Sequence, residues 1–391
     1  MKTNLVFMLL LISKLAHGQN ASCGIDSFYF KKVFDNDDLK EKAVNVFQKQ
    51  KSNNFIQLRS VLIIPVVFHI VYSNEEENIC DELIYSQLDK LNEDFALQNA
   101  DKSSIPNEFK NLAADTEIQF CLVNTDSVGK PMNGITRTKT SKKGIGLSDD
   151  LFFTEKGGKT AWNTEGYLNI WIADLGTKIT GFAAMPLQTA TYRDGVVLHY
   201  KYTGFNKNKY YGLGRVGVHE VGHYLGLTHI WGTKNGCDDD DGIEDTPQQA
   251  TNYKGCPAYP KQSCGISSMF MNYMDYVDDP CMVMFSKGQK ERMIATLMTS
   301  RQSLLNSTKC SGKQSVGNLI KIYPNPFSDK MTIEANQNIN EEVLFYSIDG
   351  RLIATKQIRN VSLANFCTEE LPSGFYMIKI ANQNFKLIKQ N

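Results

Sequence analysis

Hydrophobic and polar positions fall into distinct regimes along the chain, and each regime predicts a different element. Val61 to Tyr72, VLIIPVVFHIVY, is a nearly unbroken β-branched and aromatic run, the pattern of a strand buried on both faces, with Pro65 an irregularity near its start. From Asp81 to Asn99, Leu83, Ile84, Leu88, Leu91 and Phe95 recur at helical spacing, which predicts a helix lying across that sheet. Glu117 to Val123, Ile135 to Thr140, Tyr167 to Ala173 and Gly195 to Tyr200 read as further strands. Two more helices are predicted, over Arg215 to Gly226 and Ser286 to Thr299. The second opens with Ser286 and has Gln289 three residues on, the spacing of a capping box. Elements in this order imply an α+β domain with a mixed sheet, and between the last two helices runs a long Gly- and Cys-rich stretch.

The pattern changes after residue 310. Residues 311–319, SGKQSVGNL, are small and polar, a linker by composition. Beyond it, strand-length runs at Met331 to Glu334, Val343 to Ile348, Arg351 to Gln357, Phe375 to Ile380 and Phe385 to Ile388 predict a small all-β sandwich over 320–391, with Asp349-Gly350 a tight hairpin. At the other end, Lys2, the apolar run Leu5 to Ile12 and the small residues around Ala16-His17-Gly18 predict a secretory signal peptide over 1–18. Its apolar core is far shorter than the roughly 20 residues a membrane span takes, and no later stretch reaches that length. Residues 19–59, charged and without a strong apolar face, suit a pro-segment that ends near Arg59-Ser60. The catalytic-sized domain then occupies 60–310, and with the tail it makes the two domains that a chain of this length has room for at roughly 100 to 200 residues each.

Composition narrows the partners. With 42% hydrophobic and 21% charged residues the chain is an ordinary globular protein, and Lys+Arg equals Asp+Glu at 42 each, so no basic surplus drives binding to nucleic acid or anionic lipid. Nine cysteines in an exported chain read as disulfides, and four of them, Cys237, Cys256, Cys264 and Cys281, cluster in the stretch between the last two helices. Four cysteines allow three pairings, and an odd total leaves at least one thiol outside any intramolecular pair.

The chemistry concentrates at residues 219–229, HEVGHYLGLTH. His219 and His223 lie one helical turn apart and project from one face, so both imidazoles can reach one ion. Gly226 permits the chain reversal that brings His229 round as a third ligand. Three neutral nitrogens suit Zn²⁺ with a fourth position for water, whose pKa the ion lowers toward neutrality. Glu220, next to the first ligand, is placed to take that water's proton and return it to a leaving amine. Farther on, Asp238 to Asp241 with Glu244 and Asp245 put six carboxylates into eight residues, and such dense like charge beside cysteines calls for a hard counter-ion such as Ca²⁺.

HExxHxxGxxH is the zinc signature of the metzincin metalloproteases. Its continuation here, HIWGTKNGC, then DDDDGIEDTP, two more cysteines, MNYMDY and Cys281, resembles the pappalysin family from about Ile64 to Met298. The resemblance implies a zincin with a twisted mixed sheet above the zinc and a loop-rich lower lobe. It implies Met274 as the Met-turn residue under the metal and Tyr276 as a stabiliser of the tetrahedral oxyanion. It implies disulfides Cys237 with Cys264 and Cys256 with Cys281, each worth roughly 3 kcal/mol to the lobe, and calcium in the acidic loop with Asp241 and Thr246 as side-chain ligands. Gly181, Phe182 and Ala183, in GFAAM, resemble the upper-rim strand on which an extended substrate lies. Cys23, in an early Cys-Gly, resembles the pro-segment cysteine whose thiolate occupies the zinc in such zymogens; a disulfide to Cys80, Cys121 or Cys310 is the other reading of it.

The tail is similar to the C-terminal sorting domain of type IX secretion, through IYPNPF at 322–327, YSIDGRLI at 346–353, LPSGFYMIKI at 371–380 and the terminal LIKQN. That implies export first by signal peptide and then across the outer membrane by the type IX secretion machinery. The sequence is therefore expected to encode a secreted zinc endopeptidase acting on proteins or peptides and made as a zymogen. The rival from another class is an exported surface adhesin whose metal site is structural, against which Glu220 and Tyr276 both speak.

Overall fold

The computed structural model describes residues 23, 61–126, 130, 132–186, 191–306, 320–381 and 383–390. The expected signal peptide, nearly all of the pro-segment, the linker 311–319 and Cys310 lie outside the described residues.

The β-branched run forms β1 (Leu62–Tyr72), the centre of a six-stranded sheet. One edge of β1 pairs in parallel first with β2 (Ile118–Leu122) and then with β3 (Ile135–Lys139); the other pairs in parallel with β4 (Leu168–Ala173). Pairing with β4 starts only at Val66, so the N–H that Pro65 lacks removes no bond on that side. At the far rim lies β5 (Gly181–Ala183), joined to β4 through β6 (Val196–His199), which runs parallel to β4 and antiparallel to β5. Alternation along β1 explains its apolar continuity. Ile64, Val66, Phe68 and Ile70 enter the main core with the helices, while Val67 and Val71 enter two smaller clusters on the opposite face.

Helix α1 (Asp81–Phe95) buries Ile84, Tyr85, Gln87, Leu91 and Phe95. It stops four residues short of the predicted end because Leu97 takes a left-handed φ of 52° and the chain turns away. Helix α2 (Arg215–Tyr224), buried at every position, packs on α1. Gln87 of α1 donates to the Gly214 carbonyl (2.8 Å) and accepts from the Gly204 N–H (2.9 Å). Arg215, 1% exposed, is paired with Asp94 of α1 at 3.0 Å and with Asp101 at 2.6 Å. Helix α3 (Lys287–Met298) carries the full reciprocal cap, with Ser286 Oγ accepting from Gln289 N–H and Gln289 Oε1 accepting from Ser286 N–H.

Between α2 and α3 the chain is irregular apart from a short hairpin, β7 (Gln262–Ser263) and β8 (Ile266–Ser267), and one 3-10 turn at Asp279–Cys281, and is stapled by disulfides Cys237–Cys264 and Cys256–Cys281. The tail forms β9 (Ile320–Tyr323), β10 (Lys330–Ser347), β11 (Leu352–Cys367), β12 (Gly374–Ile380) and β13 (Gln383–Lys389), all antiparallel. Two of the short predicted runs are one 18-residue strand, β10. Register shifts on either side of Ile339 let one half of the β10–β11 hairpin carry β9 and the other half β12, closing a sandwich over Phe327, Val343, Phe345 and Phe366. A third disulfide, Cys80–Cys367, joins the tail to the residue just before α1.

Candidate active site

Helix α2 presents His219 and His223 on one face, and the chain then reverses at Gly226, whose φ is +92° and whose added Cβ would lie 2.6 Å from Thr296 Oγ1. The reversal delivers His229. The Nε2 of His223 lies 3.0 Å from that of His219 and 3.1 Å from that of His229. His219 Nδ1 lies 2.7 Å from the Tyr273 carbonyl and His223 Nδ1 lies 2.8 Å from the Leu227 carbonyl. A carbonyl only accepts, so these Nδ1 atoms carry the protons and the neutral rings turn bare Nε2 lone pairs toward one another. Two acceptors 3.0 Å apart repel unless a cation joins them, and this donor set fits a zinc ion. Burial, followed by the neighbouring imidazoles of His219 and His229, pushes His223 well below the usual histidine range, keeping its ring neutral.

Glu220 is fully buried on the same helix. The rim strand β5 crosses directly against it: a Cβ on Gly181 would lie 2.9 Å from Glu220 Cγ and 2.9 Å from the Val197 carbonyl oxygen. Cys23 carries a thiol rather than a disulfide, is buried, and sits with its Sγ within 4.8 Å of the three ring nitrogens and 3.5 Å from Glu220 Oε2. Cys23, Thr180, His219, Glu220 and Tyr276 all line one cleft.

Below the histidines, Met274 is fully buried against α2, where a Cβ on Gly222 would come within 2.6 Å of its Sδ. Its turn is held by Asn272, which accepts from Met274 N–H (2.9 Å) and exchanges two amide hydrogen bonds with Gln289 at the start of α3. The Tyr276 ring stands 4.8 Å from the His229 ring and 5.8 Å from that of His219.

In the acidic loop, Thr246 Oγ1 lies 2.7 Å from Asp241 Oδ1, so these two residues do meet. The other carboxylates disperse: Asp239 accepts from Thr233 and Lys234, and Asp245 accepts from Ser286 and Gly288 at the start of α3. Asp241 Oδ2 is buried with no hydrogen-bond partner, and burial pushes its carboxyl up to about 8.

Three further residues support the site that motif and spacing do not single out. Trp231 stacks on His229 at 4.4 Å and 10° and meets Tyr276 edge-on at 4.8 Å; its only signal is an aromatic two residues after the last histidine. Asp275, fully buried, accepts from the N–H groups of Tyr253 and Tyr276 and from Gln249. Arg301 donates to the Tyr224 and Ala184 carbonyls and pairs with Asp194, tying the end of α2 to the chain after β5; nothing in its local sequence marks it.

The model of the peptidase family described as Pregnancy-associated plasma protein-A matches residues 154–298, which hold β4 to β6, α2, the methionine turn and α3. An extracellular metalloprotease of Arthroderma gypseum is 31% identical over 274 residues, covering 67% of this chain and 80% of that protein. This chain belongs to the pappalysin family. As a member of it, the protein is a secreted metalloendopeptidase, and its mixed sheet with few helices is the fold of solved relatives. A promirolysin mutant of Tannerella forsythia superposes with a TM-score of 0.66 at 41% identity, over 71% of this chain and 95% of that one. Mature mirolysin of the same organism, in complex with a cleaved peptide, gives 0.62 at 43% identity over 65% and 100%. The Secretion system C-terminal sorting domain matches residues 321–390, so this pappalysin carries a type IX export tail. Among the described residues no helix is long and apolar enough to cross a membrane.

Proposed function

We propose that this metalloendopeptidase is a zinc enzyme held latent by its own N-terminal segment. The observation that carries the reading is the convergence of three imidazole nitrogens around His223 Nε2, at 3.0 and 3.1 Å. His219, His223 and His229 would hold the ion through Nε2. When bound, zinc supplies a Lewis acid for the scissile carbonyl and lowers the pKa of water toward neutrality. Glu220 takes the proton of the attacking water and passes it to the leaving amine, its carboxylate confined by Gly181 above and the helix below. Tyr276 donates to the oxyanion that forms on the substrate. Gly181, Phe182 and Ala183 offer a rim edge on which an extended protein or peptide chain pairs through its backbone.

Cys23 supports the latent state. Its Sγ stands beside the same three nitrogens and engages Glu220, in the space a substrate carbonyl and water need. Activation then means removing residues 19–59. A calcium ion beside Asp241 is the second metal of the reading, supported by the buried Oδ2 that has no other partner. Thr246 holds the opposite oxygen.

The test is cleavage of a denatured general protein substrate by the intact chain and by chain freed of residues 19–59, each with and without a zinc chelator. The processed parent cleaves, the chelator stops it and added zinc restores it. Glu220→Ala loses about 10³-fold, within the range general acid–base catalysis supplies, and Cys23→Ala raises the activity of unprocessed chain. A processed parent that binds zinc stoichiometrically and stays inactive overturns the reading. For calcium, the Tm of the parent rises with added Ca²⁺ and that of Asp241→Ala does not.

A further inference from the structure

The contact between the two domains is built, and it is covalent. Cys80 immediately precedes α1 in the catalytic domain, Cys367 ends β11 in the sorting domain, and the disulfide between them spans 287 residues of sequence. Polar contacts surround it. The Cys367 N–H donates to Glu82 Oε2 (3.2 Å), the Asn365 N–H donates to Asp81 Oδ2 (2.8 Å), and Lys356 bridges Glu82 (3.0 Å) and Glu370 (2.9 Å). Lys330 donates to the carbonyls of Asn78 (2.6 Å) and Glu75 (3.1 Å), and Arg359 pairs with Asp89 farther along α1. The N-terminal half of α1 is thus the seat of the sorting domain, and the chain between the domains is not the only covalent link between them.

We infer that a cut between the domains does not release the sorting domain: the severed chain stays one molecule through Cys80–Cys367 until a dithiol reduces that bond. In the release step the dithiol gives up two electrons and two protons. The Cys80–Cys367 sulfur–sulfur bond breaks to two thiols, and the reductant closes to its own disulfide. Cys80 is 3% exposed and Cys367 only half-buried, beneath the Lys356, Glu82 and Glu370 group, so attack comes from the Cys367 side and is slow while the contact stays closed. Release also bares Cys80 as a new surface thiol. None of this depends on the zinc reading, since the readout is mass rather than activity.

The experiment uses the full chain with a recognition site for a sequence-specific endoprotease inserted within residues 311–319. After cutting, the products are run under denaturing conditions with and without a dithiol, and an unreduced digest of uncut parent is mapped for the peptide joined to that of Cys367. The expected result is one species without dithiol, two with it, and the Cys80 peptide joined to the Cys367 peptide. Cys367→Ser, once cut, gives two denatured species without any reductant. Two species from the cut parent without dithiol overturn the inference. So does a map that joins Cys80 or Cys367 to a different cysteine, a result that stands even if the serine variant fails to fold.

Discussion

At the scale of single residues, two glycines divide the work of the site between building it and leaving room in it. Gly226 has both a left-handed φ of +92° and Thr296 Oγ1 2.6 Å from where a Cβ would go, so Gly226→Ala meets strain and a clash together. It should destabilise by about 1 to 3 kcal/mol for the backbone strain, with more for the clash, and should lower zinc stoichiometry because His229 depends on the turn. Urea unfolding and metal analysis check both. Gly181→Ala acts differently, since its Cβ would meet Glu220 Cγ at 2.9 Å while the histidines stand apart from it. Its expected effect is a kcat loss of about 10²-fold from a displaced base with zinc content unchanged; equal kcat in the variant would remove the role given to that contact. Gly226 was legible from the spacing of the three histidines. The pressure of Gly181 on Glu220 was not, because it joins residues on two separate elements far apart in the chain.

At the scale of elements, α2 is held where it is by its neighbours more than by its own sequence. Its N-terminal residue, Arg215, is buried against Asp94 of α1 and Asp101 beyond it, and Asp279 accepts from the Leu213 and Arg215 N–H groups. Removing one member of such a pair leaves the other charged and buried. Arg215→Ala should therefore cost about 3 to 5 kcal/mol, measured by denaturant unfolding, and a cost below about 1 kcal/mol would show that α2 does not need this anchor. Helices and strands of the catalytic domain were legible because apolar residues recur with the right period. Their ends were less so. Asn99 sits past a left-handed Leu97, and Gly226 sits past the end of α2, where periodicity continues but the backbone does not. In the tail, β10 reads as two short runs because its central residues, Asn336 to Glu342, are mostly polar, while pairing with β11 carries the strand through them.

At the scale of the whole molecule, buried carboxyls set a pH response. Burial pushes Asp275 and Asp279 up to about 7, and burial also raises Glu82, at the contact between the domains, to about 7, against about 4 in an unfolded chain. An acid with a higher pKa folded than unfolded keeps its proton longer in the folded state. Its contribution is complete below about pH 4 and is lost as pH rises through about 7. Tm in metal-free buffer should fall between about pH 4 and about pH 7. Asp279→Asn retains an oxygen for both N–H groups and should flatten that slope; an unaltered slope would assign the response elsewhere.

The sequence by itself singled out the residues that the structure gathers at the candidate site. Three imidazoles, a carboxylate and the turn glycine lie within residues 219–229, and local backbone geometry is enough to aim them. It also marked the change from the mixed-sheet part of the chain to the all-β tail, which follows from composition and periodicity. Only the tertiary structure decided what surrounds that local unit: Trp231 stacked on His229, Asp275 beneath Tyr276, Arg301 at the end of α2, and Cys80 bound to Cys367. These contacts join residues far apart in the chain or serve groups whose local sequence carries no period, and such proximity is set by how the layers pack.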